Sequence, residues 1–169
     1  METEINKNTE FSPALIEQIK GYFAHYPEIQ KKSALLPSLH AAQAEFGWLS
    51  TETMDQVASL LSIKPIEVYE VASFYSMYHL KPQGKYVLEV CRTGPCCLAG
   101  AERIVNYIEQ KLGIKEGETT ADKLFSLKTV ECLAACGTGP VLQIGPLYTY
   151  YENLSEQSID SLLEELKNK

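Results

Sequence analysis

The stretch YVLEVCRTGPCCLAGAERIVNYIEQKLG (residues 86–113) decides how the chain folds. Tyr86 to Val90 reads as a strand, with aromatic and β-branched residues suited to a pleated surface. Cysteines with glycine and proline follow. From Ala101 the apolar residues Ile104, Val105, Ile108 and Leu112 recur at helical spacing until Gly113 supplies a stop. Strand, cysteine turn and helix in that order open an α/β unit.

Toward the C-terminus, residues 125–130 (FSLKTV), 141–144 (VLQI) and 147–151 (LYTYY) are further strands. Ile159, Leu162, Leu163 and Leu166 stripe a last helix with Ser155 as its cap. The pattern is β-α-β-β-β-α. Toward the N-terminus the texture is helical. Residues 13–26 carry Leu15, Ile16, Ile19, Tyr22, Phe23 and Tyr26 on one stripe, with Ser12 as N-cap and Pro13 at the first position. Leu35, Leu36, Leu39, Ala42 and Phe46 mark a second helix over about 33–46 that stops at Gly47, Pro37 being tolerable only in its first turn. Ser50 caps a third with Met54, Val57, Ala58 and Leu61, and Pro65 opens a fourth with Ile66, Tyr69 and Val71 along it. The fold class is therefore mixed helix and sheet (α+β or α/β): an N-terminal helical bundle, residues 1–80, before an α/β domain, residues 81–169.

Composition limits what such a chain does. It has 169 residues, 45% hydrophobic and 22% charged, with a formal charge of -7 and both halves acidic. No basic face offers itself to nucleic acid, and Lys31-Lys32, the one adjacent basic pair, reads as a solvated helix end. No run approaches the roughly 18 apolar residues that cross a bilayer. The opening METEINKNTEFSP is polar and acidic, so the chain is expected to be cytoplasmic, uncleaved and without direct membrane contact.

All five cysteines fall between Cys91 and Cys136. In a reducing compartment disulfides are a poor reason for such clustering, which leaves metal or redox chemistry. Cys91 and Cys96 have four residues between them, Cys132 and Cys136 three, and each pair follows a strand, so two strand-end loops can present four thiolates to one point. Zinc knuckles favour two-residue gaps, whereas a two-iron cluster spreads its ligands and accepts longer ones. Iron–sulfur, zinc and unliganded thiols all remain open on spacing alone, in that order. The absence of C-x-x-C weighs against a dithiol oxidoreductase. A two-iron cluster on four thiolates carries a charge of about -2. The helix opened by Ala99-Gly100-Ala101 offers amides to it, and Gly94, Ala134, Ala135, Gly137 and Gly139 permit close backbone approach. Cys97 is expected to be a small buried or half-buried apolar residue, and His25, His40 and His79 to be structural. Tyr148, Tyr150 and Tyr151 are assigned first to sheet packing and second to a partner-facing role, and residues 68–79 (VYEVASFYSMYH) to an inter-domain or subunit interface.

VCRTGPCCLAGA (90–101) and VECLAACGTGPVLQIGPLYTYYENLS (130–155), together with SALLPSLHAAQAEFGWLS (33–50) and VYEVASFYSMYHLKPQGKYVLEVC (68–91), resemble the family of small iron–sulfur subunits, the E subunits, of bacterial NADH–quinone oxidoreductase, respiratory complex I. The resemblance runs from about residue 13 to the end. It implies that the second domain is a thioredoxin-like 2Fe-2S ferredoxin domain with one cluster, whose ligands carry over to Cys91, Cys96, Cys132 and Cys136. It further implies an electron carrier without catalytic side chains of its own. Its partner would be the subunit that holds FMN and binds NADH, within an assembly peripheral to the inner membrane. Small subunits of soluble NAD-linked hydrogenases and formate dehydrogenases share these motifs, and a zinc scaffold without redox activity is the alternative of another class. The sequence departs from the family where Ala134 replaces a frequent Gly and Gly137-Thr138-Gly139-Pro140 an Asn-Ala-Pro segment.

Overall fold

Ser12 shows how the first helix starts: its hydroxyl accepts from the Leu15 N–H and Pro13 follows it, fixing α1 as Pro13–Phe23. The computed structural model describes residues 10–169. The first nine residues of the polar opening, read as an uncleaved start, lie outside them. Helix α1 is shorter than its stripe, because Tyr26 precedes Pro27 and a 3-10 segment, Glu28–Ala34, that the periodicity does not indicate. Helix α2 (Leu35–Phe46) ends where Gly47 takes a left-handed φ of 77°, α3 (Thr51–Leu61) begins with the Ser50 hydroxyl accepting from the Thr53 N–H, and α4 is Pro65–Phe74.

Leu15, Ile19, Leu39, Leu49, Val57, Leu61, Val68 and Ala72 form the core of this first unit, which ends at Pro82. On α4 the inward residues are Val68 and Ala72, and Ile66 is 62% exposed. Residues two apart on a helix point about 200° from one another, so with Val68 and Ala72 turned into the core Ile66 faces away from it. Tyr78 is buried, its hydroxyl donating to the Leu36 carbonyl, whereas Phe74 is 79% exposed. The stretch 68–79 thus contributes to both the core and the surface of this unit. Among the described residues no helix is long and apolar enough to cross a membrane.

The second unit, Gln83–Lys169, is a four-stranded mixed sheet with helices. Its elements are β1 (Tyr86–Cys91), α5 (Gly94–Leu98), α6 (Ala101–Leu112), β2 (Phe125–Val130), β3 (Leu142–Gly145), β4 (Thr149–Tyr151) and α7 (Glu156–Lys167). Strand order is β2-β1-β3-β4, with β1 and β2 parallel and β3 antiparallel to both β1 and β4. Leu88 and Val90 of β1, Phe125 and Leu127 of β2, and Leu142 and Ile144 of β3 belong to a core that includes Ile104 and Ile108 of α6 and Ile159, Leu162, Leu163 and Leu166 of α7. Ser155 caps α7 by accepting from the Ser158 N–H.

Glu89, in the central strand and only 3% exposed, is ion-paired with its cross-strand neighbour Lys128 at 3.6 Å and accepts from Gln143, its neighbour on β3. That pairing offsets the desolvation of a carboxylate in a sheet interior. Along the outer side of β2, Gly117 N–H donates to the Leu127 carbonyl, Leu127 N–H to Glu118, and Thr120 N–H to Phe125. Gly84 is required as glycine, since a Cβ there would stand 2.8 Å from the Phe125 carbonyl carbon.

Candidate metal centre

The parallel pairing of β1 with β2 matches Cys91 to Val130, so both strands end at the same edge of the sheet. Cys91 closes β1, and Cys132 lies two residues beyond the end of β2. The other two sit on short turns. Cys96 is inside the one-turn helix α5, and Cys136 starts a 3-10 turn, Cys136–Thr138, held by Asn153 N–H donating to the Thr138 carbonyl at 2.7 Å. Helix α5 is absent from the sequence reading: five residues, Gly-Pro-Cys-Cys-Leu, are too few to show a period.

The four thiols interact with one another. Burial alone would raise the Cys91 thiol, but the Thr93 hydroxyl, the N–H groups of Thr93 and Leu133 and the Cys96 thiol together hold it below its ordinary range. Cys96 is pushed up to about 11, first by burial and then by the neighbouring Cys91, with Cys136 adding to it and the Val141 N–H opposing. Burial raises Cys136, and the charges of Cys132 and Cys91 raise it further. Cys91 and Cys96 thus influence each other, Cys132 bears on Cys136, and Cys136 is also within electrostatic reach of Cys91 and Cys96. Among the described residues no three Cys, His, Asp or Glu side chains close on a point fit for a single ion.

Hydrogen-bond donors surround the sulfurs. Thr93 Oγ1 lies 3.4 Å from Cys91 Sγ, and the Ala134 N–H donates to Cys132 Sγ at 3.3 Å. Donors to sulfur therefore come from Thr93, Leu133, Ala134 and Val141, on the turns themselves, rather than from the start of α6. None of these was legible in the sequence, although a threonine two residues after a cysteine was the available signal. Of Gly94, Gly137 and Gly139, only Gly139 lies beside a sulfur, and a Cβ there would make ordinary contact with Cys96 Sγ at 3.4 Å, so space requires glycine at none of the three. Arg92 and Glu131, which flank Cys91 and Cys132, form an exposed ion pair at 3.3 Å across the two segments. At such exposure it contributes little to stability.

Cys97 corrects an expectation. It is exposed, not buried, and its Sγ donates to the Arg92 carbonyl at 2.9 Å. Successive residues of a helical turn point about 100° apart, so the turn that carries Cys96 inward carries Cys97 out. The His40 ring lies against Tyr78, tilted, with centroids 5.1 Å apart, and burial lowers the pKa of its imidazole below the ordinary value; His79 is buried in the same unit. The four paired thiols with amide and hydroxyl donors fit an anionic cluster whose ligands are shared between two irons.

A family model described as thioredoxin-like 2Fe-2S ferredoxin matches residues 19–167. The chain is 41% identical over 165 residues to the E subunit of NADH-quinone oxidoreductase from Rickettsia felis, covering 97% of this chain and 98% of that protein. It is 45% identical over 144 residues to the protein of the same name in Rickettsia typhi, covering 85% of this chain and 84% of that one. Among solved structures it superposes on part of an NAD+-reducing NiFe-hydrogenase in the air-oxidized state with a TM-score of 0.69. That match is 23% identical and covers 79% of this chain and 23% of the other, a likeness of fold.

Proposed function

The chain belongs to the thioredoxin-like 2Fe-2S ferredoxin family and, within it, to the family of E subunits of NADH-quinone oxidoreductase. From that premise we propose that Cys91, Cys96, Cys132 and Cys136 hold its one 2Fe-2S cluster and that this cluster exchanges single electrons with the flavin of a partner subunit. It is an electron-transfer component of an oxidoreductase assembly with partner subunits. The finer reading is that the partner carries FMN and binds NADH, and that the assembly lies on the cytoplasmic side of the inner membrane without direct membrane contact by this chain.

The observation that carries the ligand assignment is geometric: Cys91 and Cys132 stand where two paired parallel strands end together, Cys96 and Cys136 follow on the short turns after them, and the adjacent Cys97 is turned away to the Arg92 carbonyl. When bound, the cluster takes up and returns one electron. The residues of this chain bind and tune. Thr93, Leu133, Ala134 and Val141 direct donors at sulfur, which favours the more negatively charged state, and no side chain is assigned proton transfer or nucleophilic attack.

Anaerobic preparation followed by iron and sulfide analysis, visible absorption and electron paramagnetic resonance after dithionite tests this reading. About two irons and two sulfides per chain, with a paramagnetic signal on one-electron reduction, are expected. A colourless protein holding one zinc after anaerobic reconstitution overturns it. The partner assignment is checked separately by co-purification with the flavin subunit.

A further inference from the structure

Tyr150 stands on the edge strand β4, opposite Gln143, and is 46% exposed. Its hydroxyl nevertheless has a fixed partner in the chain after β2, donating to the Leu133 carbonyl at 3.1 Å across 17 residues of sequence. That carbonyl and the Ala134 N–H are the two ends of one peptide unit. The Ala134 N–H donates to Cys132 Sγ at 3.3 Å. Phenol, amide and thiol thus form an unbroken series: Tyr150 O–H to Leu133 C=O, then Ala134 N–H to Cys132 sulfur. The peptide is aimed by Ala134 itself, whose φ of 59° is one that a residue with a Cβ rarely adopts.

We propose that Tyr150 is a positioning residue for the cluster, orienting and polarising the Leu133–Ala134 amide so that its N–H stabilises the negative charge gathered on Cys132 sulfur upon reduction. This rests on the ligand assignment proposed above. An amide that accepts a hydrogen bond at oxygen is a stronger donor at nitrogen. A stronger bond to sulfur favours the reduced state and raises the midpoint potential. Removal of the phenol oxygen must therefore lower it. Tyr150 is half in solvent, so loss of its hydroxyl leaves the packed core unchanged and separates tuning from folding.

The experiment is a redox titration of the intact, cluster-loaded chain, followed by electron paramagnetic resonance, for wild type, Tyr150→Phe and Tyr148→Phe. Tyr148, 40% exposed, is the control from the same hairpin. Tyr150→Phe is expected to keep its iron, sulfide and melting temperature. At a fixed solution potential its reduced-to-oxidised ratio should fall about two- to fourfold, about 18–36 mV at 59 mV per tenfold for one electron. Tyr148→Phe should titrate like wild type. Resonance Raman spectra in light and heavy water give a second reading: the deuterium shift of the iron–sulfur stretches should shrink in Tyr150→Phe. An unmoved midpoint, an equal shift in both variants, or a Tyr150→Phe chain that takes up no cluster overturns the tuning role while leaving the cluster reading intact. A wild-type chain that binds no cluster overturns that reading and this inference together.

Discussion

Cys91 and Cys96 stand at 2% exposure on regular structure, one closing a central strand and one inside a helical turn, whereas Cys132 and Cys136 stand exposed on the irregular chain leaving β2. The first pair is held by the core, with Cys91 N–H bonded to the Val141 carbonyl and Cys96 packed among buried residues. The second is held by hydrogen bonds that the chain after β2 makes within itself and with β4 and the residues following it: Tyr150 to Leu133, Ala134 to Cys132, Asn153 to Thr138. Burial fixes two of the proposed ligands, while the other two stand on the side open to solvent.

The strongest way to break this contrast is ligand by ligand. Serine at Cys91 or Cys96 would have to give up its hydroxyl proton in a desolvated site to bind iron, which costs far more than ionising a thiol there, so iron content should fall to background. Serine at Cys132 or Cys136 has water nearby and should leave a two-iron chromophore with shifted absorption. Four identical outcomes in iron analysis and visible spectra would falsify the distinction between the pairs. Next in size is the core behind the first pair: Ile104→Ala should cost about 2–5 kcal/mol in denaturant unfolding. Stripping the cluster with a chelator sharpens the comparison further. Hydrogen exchange should accelerate over residues 132–138 while the Cys91 and Arg92 amides, bonded to Val141 and Val130, keep their protection. Uniform acceleration across both segments counts against loop-held ligands. A smaller effect is expected of Ala134→Gly. Relief of a left-handed alanine is worth about 1–2 kcal/mol and the added chain entropy of glycine costs about 0.5–1, so a net gain of about 0–1.5 kcal/mol, with its middle at ~0.75, should appear as a raised melting temperature. Cys97→Ser should change neither iron content nor spectrum, since that thiol faces the Arg92 carbonyl.

The regular parts of this molecule were legible because their signals are local. Ser12, Ser50 and Ser155 cap the helices that their positions announced, Gly47 and Gly113 end two others in left-handed conformation, and 125–130 forms the strand its composition suggests. The mixed helix-and-sheet class followed from these. What did not show was anything set by packing or by partners distant in sequence. Ile66 faces out because its helix is turned by Val68 and Ala72, a tertiary choice. For the candidate site, spacing singled out four cysteines, but the one-turn helix that turns Cys97 outward is shorter than any period. The donor from Tyr150 reaches a carbonyl 17 residues earlier, a link that no local pattern encodes. Ala134 stands out in the sequence as a departure from glycine, and its φ supplies the reason that glycine suits the position.

The ladder of hydrogen bonds that residues 117–120 make along β2 has a consequence for assembly. A sheet grows by adding a strand at an open edge, and this border is already occupied by the chain's own backbone. The opposite border is β4, only three residues long. The β2 border of the sheet is therefore closed to strand addition by another copy, and the β4 border offers a template of three residues.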